Sequence, residues 1–268
     1  MIGVMLHLHE GGADEAMAKV RGLDLPSCQV GWPPFGSLET GEALRAAADA
    51  HDVTITTLWA ALPGPAVWNF TEGPSTIGLV PGEWRAERVK ALQAAAEVAG
   101  KIGVQSITTH CGFIPFWPGD RLYIETVAAL KDVCAACQDN GVEFWYETGQ
   151  ETPITLLRTI QDVGYDKQGI NLDPANLLMY GNGNPVDALD VFGQWVRGVH
   201  AKDGEYPTDG ANLGVEKPMG EGRVNFPVLV PKLKSLGYCG ALTIEREISG
   251  EQQIADIKRA IAILEPLC

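Results

Sequence analysis

The chain has 268 residues, 46% of them hydrophobic and 20% charged, so it can build a large core and is not a disordered type. Thirty-four acids against 20 bases give a formal charge of −14, which argues against nucleic acid and anionic membrane as partners. The length is typical of one α/β barrel, and one domain over 1–268 is expected.

The opening "MIGVMLHLHEGGADEAM" has no basic segment, no long apolar run and no small-residue cleavage site. No stretch approaches the ~20 apolar residues of a membrane-spanning helix. A cytoplasmic protein is expected.

In chain order, apolar β-branched runs alternate with alanine-rich helical runs. A strand over 2–8 precedes a helix over 13–21. Strand 27–31 precedes helix 38–50, and strand 53–62 leads through a proline-rich loop to helix 82–100. Strand 104–110 precedes helix 120–139. Strand 142–147 is followed by Thr152-Pro153, a cap-then-proline helix start. Strand 169–173 is followed by the same signal at Asn184-Pro185. Strand 196–201 runs into a glycine-rich loop over 202–223, then Asn225 as the cap of helix 226–235. After strand 240–245, "SGEQ" from Ser249 reads as a capping box opening a helix that runs to about 264. Eight strand–helix units imply a parallel sheet closed as a (β/α)8 TIM barrel. An open doubly wound sheet is the runner-up, but "HLHEGGADE" lacks its glycine-rich phosphate turn.

Six cysteines are scattered, and only Cys134 and Cys137 form a close pair, "CAAC", inside a helical pattern. Buried thiols on one helix face fit better than a redox or zinc motif.

The carboxyl ends of barrel strands point to the active-site face. The last four strands end in Glu147, Asp173, His200 and Glu245, each the first polar group after an apolar run. Singly, such an acid is more often a loop anchor or helix cap, and such a histidine a hydrogen-bonded core residue. On four successive strands they converge. Three carboxylates in a small space need a counter-charge, and a divalent metal supplies it. Three oxygens and one imidazole nitrogen suit Mn²⁺ first, with Mg²⁺, Co²⁺ or Zn²⁺ as alternatives.

At these residues "FWYETGQET", "INLDPANLL", "GVHAKDG" and "LTIEREISG" resemble the motifs of the xylose isomerase-like TIM barrels. That superfamily holds sugar and sugar-phosphate isomerases and epimerases, ketose 3-epimerases, inosose dehydratase and endonuclease IV. The resemblance runs from the first strand to the last helix. It implies that Glu147, Asp173, His200 and Glu245 bind the metal, and that Glu147 and Glu245 are the acid/base pair of a keto-sugar epimerase or isomerase. Proton transfer would pass through a metal-bound cis-enediolate, with one carboxylate raised in pKa toward the operating pH. Family members often pair, so a homodimer is implied by analogy. Epimerases commonly carry a histidine three residues after the aspartate, where this chain has Asn176, which cannot shuttle a proton at neutral pH. That departure keeps a lyase or dehydratase acting on an inosose or keto-glycoside open. A non-catalytic, metal-containing sugar-binding barrel is the third reading.

Further substrate contacts are sought at strand ends. His110 ends the fourth strand, and His7 and His9 the first; each is equally readable as a satisfied barrel-mouth residue. Glu151 could line the site, but "ETP" reads better as a helix start. Lys202 either touches substrate oxygen or pairs with Asp203, the pair being favoured. Arg246 is turned from the ligand direction by strand alternation and is a supporting candidate. Trp32, Trp59, Trp68, Trp117 and Trp145 lie near strand ends, where rings stack on sugars or anchor loops. The 202–223 loop has the length of a lid. Without an Arg/Lys cluster or phosphate turn, an unphosphorylated carbohydrate is the expected small-molecule partner.

Overall fold

A computed structural model describes residues 1–8 and 12–268 of the chain; His9 lies outside the described residues. Eight parallel strands close a barrel. In chain order the elements are β1 (Ile2–His7), α1 (Gly12–Gly22), β2 (Ser27–Trp32), α2 (Leu38–Ala50), β3 (Thr54–Ala60), α3 (Gly73–Thr76), α4 (Gly82–Lys101) and β4 (Ser106–His110). There follow α5 (Arg121–Asp139), β5 (Glu143–Glu147), α6 (Pro153–Val163), β6 (Gln168–Leu172), α7 (Pro174–Met179), α8 (Pro185–Phe192) and β7 (Val196–Ala201). The last are β8 (Asp203–Gly204), β9 (Glu216–Lys217), α9 (Phe226–Ser235), β10 (Leu242–Ile244) and α10 (Glu251–Leu264). Around the barrel the order is β1-β10-β7-β6-β5-β4-β3-β2, so β10 closes the sheet between β7 and β1. The expected (β/α)8 architecture is the one observed.

Outward-facing strand residues such as Val4, Leu58, Ile107, Phe144, Ile170 and Val199 pack in one cluster with Leu44, Leu92, Leu130, Leu156 and Phe192 of the helices. Each such side chain taken from water contributes about 1.5–3 kcal/mol. Cys134 and Cys137 belong to this shell, and burial pushes the Cys134 thiol up to about 12. The barrel interior is polar by contrast: Gln29, Thr57, Ser106, Thr108, Asn171 and Thr243 are all buried. Period-two alternation keeps the apolar residues outside and leaves these polar ones to bond across the lumen.

Several helix starts follow the sequence signals. Thr152 and Asn184 cap α6 and α8 through their side-chain oxygens, which satisfies amides left unpaired in the first turn. Three local expectations change. Asn225 does precede α9, but in the left-handed region at φ 60° and without a side-chain cap; Asn tolerates that conformation. The capping box at Ser249 does not form, because α10 starts after Gly250, whose φ of 85° suits glycine, and no side chain caps it. The sixth strand ends at Leu172, and Asp173 instead caps the short helix α7, accepting from Asn176 N at 2.9 Å.

The 202–223 loop is no open flap. β8 and β9 pair antiparallel within it. Asp203 takes the amides of Gly204, Gly220, Gly222 and Val224 on its carboxylate. A Cβ on Gly222 would stand 2.1 Å from that carboxylate, so only glycine allows the approach.

Candidate active site and metal centre

Four side chains meet at the carboxyl ends of β5, β6, β7 and β10. Glu147, Asp173, His200 and Glu245 each offer a ligand atom, and these atoms all lie within 4.8 Å of one another. Nδ1 of His200 is 2.8 Å from Oε1 of Glu147 and 3.3 Å from Oε2 of Glu245. Two neighbouring ligands ~2.1 Å from one cation sit roughly 3 Å apart, so these spacings suit a shared coordination shell. His200 Nδ1 and Asp173 Oδ2 are buried and, among the described residues, make no well-formed hydrogen bond; their near neighbours are other members of the cluster and Lys202. Polar atoms facing one another across a buried gap in this way suit a cation between them. The donor set therefore fits a divalent metal.

The charge balance agrees. Three carboxylates face one buried ammonium, Lys202, which lies 3.2 Å from Glu245 Oε2 and 3.4 Å from Asp173 Oδ2. With His200 neutral, the buried set keeps a deficit of two positive charges. Without a cation the protein's own protons make up the deficit. Burial raises the Asp173 carboxyl, helped by Glu245 and Glu147 and opposed by Lys202. Burial opposes charge on His200, yet Glu147 and Glu245 outweigh it and hold the imidazole well above its usual value. Burial likewise opposes charge on Glu245, but His200 and Lys202 hold that carboxyl well below its usual value.

A second layer fixes how the ligands point. Asn171 Nδ2 donates to Glu147 Oε2 at 2.6 Å, so its Oδ1 faces the other way and accepts from Gln29 Nε2 at 3.0 Å. Gln29 Oε1 then lies 2.8 Å from His200 Nε2. A carboxylate only accepts, so every polarity in this relay follows from Glu147. Nε2 of His200 therefore carries a proton, so the neutral imidazole has its lone pair on Nδ1, the arrangement a metal-ligating histidine needs. Thr148 completes the layer, accepting from Asp173 N at 2.8 Å. Gln29, Asn171 and Thr148 were not singled out in the sequence. A polar residue on the inward parity of an apolar strand, as in "SCQVGW" and "QGINL", is the signal that marks the first two.

A cavity of about 270 Å³ opens over the cluster, lined by Glu147, Glu245, Asn176, His7, His110 and Trp59 among others. His7, His110, Asn176 and Trp68 all line this cavity. Gly31 makes room for His7, since a Cβ there would lie 2.6 Å from its Nδ1. His110 meets Trp68 and Trp59 edge-on, with ring centroids 5.1 and 6.0 Å away.

Lys202 does not pair with Asp203, as expected from adjacency. Its Nζ reaches Glu247 at 2.9 Å, Glu245, Asp173 and the Asn176 amide oxygen at 3.4 Å. Strand alternation sends neighbours to opposite faces, and Asp203 is taken by loop amides. Arg246 does not reach the cavity: its guanidinium spans Asp256 at 2.7 Å and Glu216 at 3.0 Å, tying α10 to β9. Glu151 is buried beside the cluster rather than on the cavity wall, and the helix start belongs to Thr152, one residue on. Burial, and the nearby Glu147, push the Glu151 carboxyl up to about 8. Trp145 lies buried on β5 and donates to Glu143, Trp32 is buried, and Trp117 is exposed.

Fold and site together define an α/β barrel with an acidic, cation-suited centre on its carboxyl rim. Residues 14–267 match the model of the xylose isomerase-like TIM barrels, and the chain belongs to that family. A xylose isomerase domain protein from Planctomyces limnophilus is 33% identical, with a TM-score of 0.92 over 99% of this chain and 96% of that one. The 3-keto-D-glucoside 4-epimerase YcjR from E. coli shares the fold at 15% identity and a TM-score of 0.71, with 99% and 98% covered. An uncharacterized protein of Methanocaldococcus jannaschii is 26% identical over 170 residues, 59% of this chain and 56% of that relative, so the match spans little more than half of it. Among the described residues no helix is long and apolar enough to cross a membrane.

Proposed function

We propose that the protein is a divalent-metal-dependent isomerase or epimerase of an unphosphorylated keto-sugar. The observation that carries this reading is the convergence of Glu147, Asp173, His200 and Glu245, with ligand atoms within 4.8 Å of one another, under a cavity that both glutamates line. Glu147, Asp173, His200 and Glu245 would hold the metal, Mn²⁺ in the first instance. When bound, such a cation polarises a carbonyl and acidifies the adjacent C–H.

The chain's own groups then divide the work. Glu147 and Glu245 both line the cavity, so two carboxylates would be within reach of one substrate carbon. One removes the proton to give a cis-enediolate, and the other returns it. Return to the opposite face of the same carbon epimerises; return to the neighbouring carbon isomerises. Asn171 holds Glu147 in place and Lys202 holds Glu245. His7, His110 and Asn176 offer hydrogen bonds to hydroxyls, and Trp68 an apolar face. The name of the E. coli neighbour, a keto-glucoside epimerase, supports the substrate class.

A second reading, elimination from a keto-sugar, is favoured by Asn176, which lines the cavity where epimerases place an imidazole. An amide there orients a substrate oxygen without shuttling a proton. The test for both is incubation of metal-loaded protein with a panel of keto-sugars in D₂O. Mass-neutral deuterium uptake beside the carbonyl, abolished by Glu147→Gln and by Glu245→Gln, is expected. Loss of water or aglycone in the mass spectrum would select elimination, and no exchange with any sugar would overturn the proposal.

A further inference from the structure

The loop after β3, with the ends of β3 and β4 and Arg88 of α4, lines a second cavity of about 290 Å³. It shares Trp59, Trp68 and His110 with the cavity over the cluster, so the two adjoin across one imidazole. Apart from these shared rings, the apolar part of its wall is Ala61, Leu62, Ala66 and Ile77. The polar groups there are largely engaged already. Thr76 Oγ1 accepts from Val67 N and donates to Glu72 O. Arg88, 1% exposed, spreads its guanidinium over the carbonyls of Pro63, Pro65 and Gly78. The remaining polar feature is His110, buried, with an Nδ1 that has no partner among the described residues.

The compartment is built into the fold. Arg88 clips the loop after β3 to Gly78. Gly78, at φ 74°, lies so close to Cys111 that a Cβ would stand 2.1 Å from its carbonyl group, and Leu79 N donates to Cys111 O at 2.8 Å. The wall is thus locked onto the loop that follows His110. The second space is of about the same size as the cavity over the cluster and more apolar in its lining. Ligand sites of about 300–1,000 Å³ accept drug-sized molecules, and the two cavities together reach that range while the first alone does not.

We infer that the substrate carries a flat apolar or aromatic substituent that seats in this second cavity, an aryl glycoside of a keto-sugar being the class. The junction of the two parts lies against the His110 imidazole, and Trp68 and Leu62 take the ring. This rests on the reading of the cluster as a keto-sugar site.

Phenyl and methyl β-D-glucopyranoside are the probes, titrated calorimetrically into the metal-loaded full chain. Their keto forms, oxidised at C3, serve for turnover in D₂O. Phenyl is expected to bind at least fivefold tighter than methyl, and a smaller ratio overturns the inference. Ala61→Phe and Ala66→Phe, which fill the cavity, are expected to at least halve that ratio; a ratio unchanged in both folded variants overturns it too. The wild-type ratio decides if the variants do not fold. Phenyl preference without deuterium exchange removes the keto-sugar chemistry and keeps the cavity; exchange without preference does the opposite.

Discussion

Nε2 of His200 lies 2.8 Å from the side-chain oxygen of Gln29, on the far side of the imidazole from the three carboxylates. The bond fixes one tautomer and leaves Nδ1 for a cation. Gln29→Leu removes it and leaves the Asn171 oxygen unpaired. The expected result is roughly 10–100-fold weaker metal binding, with a stability loss of about 1–3 kcal/mol. Competition against a chelator measures the first, and denaturant unfolding with metal absent measures the second. Binding within twofold of the parent would remove Gln29 from the metal's support.

Lys202 is the buried cation that partly offsets three buried acids. Lys202→Met leaves those charges uncompensated. Breaking a buried charge pair costs about 3–5 kcal/mol, so the metal-free variant is expected to unfold several degrees lower near neutral pH. Added metal is expected to recover more stability in the variant than in the parent, because the cation then carries the whole compensation. A thermal scan with and without metal reads both.

Glu151 binds a proton more tightly when folded, its carboxyl pushed up to about 8 by burial and by Glu147. Between the unfolded value, near 4.5, and about 8 the folded chain therefore holds more protons than the unfolded one, and stability falls as pH rises. Asp173 and His200, both raised, act in the same direction when no cation is bound. Chelated protein is thus expected to melt at a lower temperature at pH 8 than at pH 6. Glu151→Gln, which cannot ionise, is expected to flatten that dependence. A parent whose melting temperature climbs across this range would contradict the assignment.

Arg246 joins α10 to β9 through Asp256 and Glu216, with side chains only 7–13% exposed. Arg246→Ala is expected to cost about 1–3 kcal/mol, less than a fully buried pair because one rim still meets water. Substrate KM is expected to stay within twofold. A selective rise in KM without loss of stability would put Arg246 in the site after all.

The four converging residues were legible because each breaks an apolar run at a strand end, and barrel closure carries such ends to one rim. Lys202 was located by the same rule but mispaired. Sequence adjacency favoured Lys202 with Asp203, whereas the partners found, Glu245 and Glu247, sit on another strand and its loop. Gln29 and Asn171 were not read at all. They lie 142 residues apart on β2 and β6, and their contact crosses the lumen between strands that are not neighbours. Such a contact depends on barrel closure and register, which local periodicity does not encode. The Ser249 capping signal failed for a local reason: Gly250 turns the chain at positive φ before the helix begins.

The relay through Gln29 also bears on how this centre is assembled. All four converging side chains lie between positions 147 and 245, in the second half of the chain. The amide that sets the imidazole's tautomer comes from β2, in the first half. A half-length fragment would carry the complete coordinating quartet and still lack the group that orients it. Full affinity for a cation should therefore require both halves of the chain, while the second half alone should bind one more weakly.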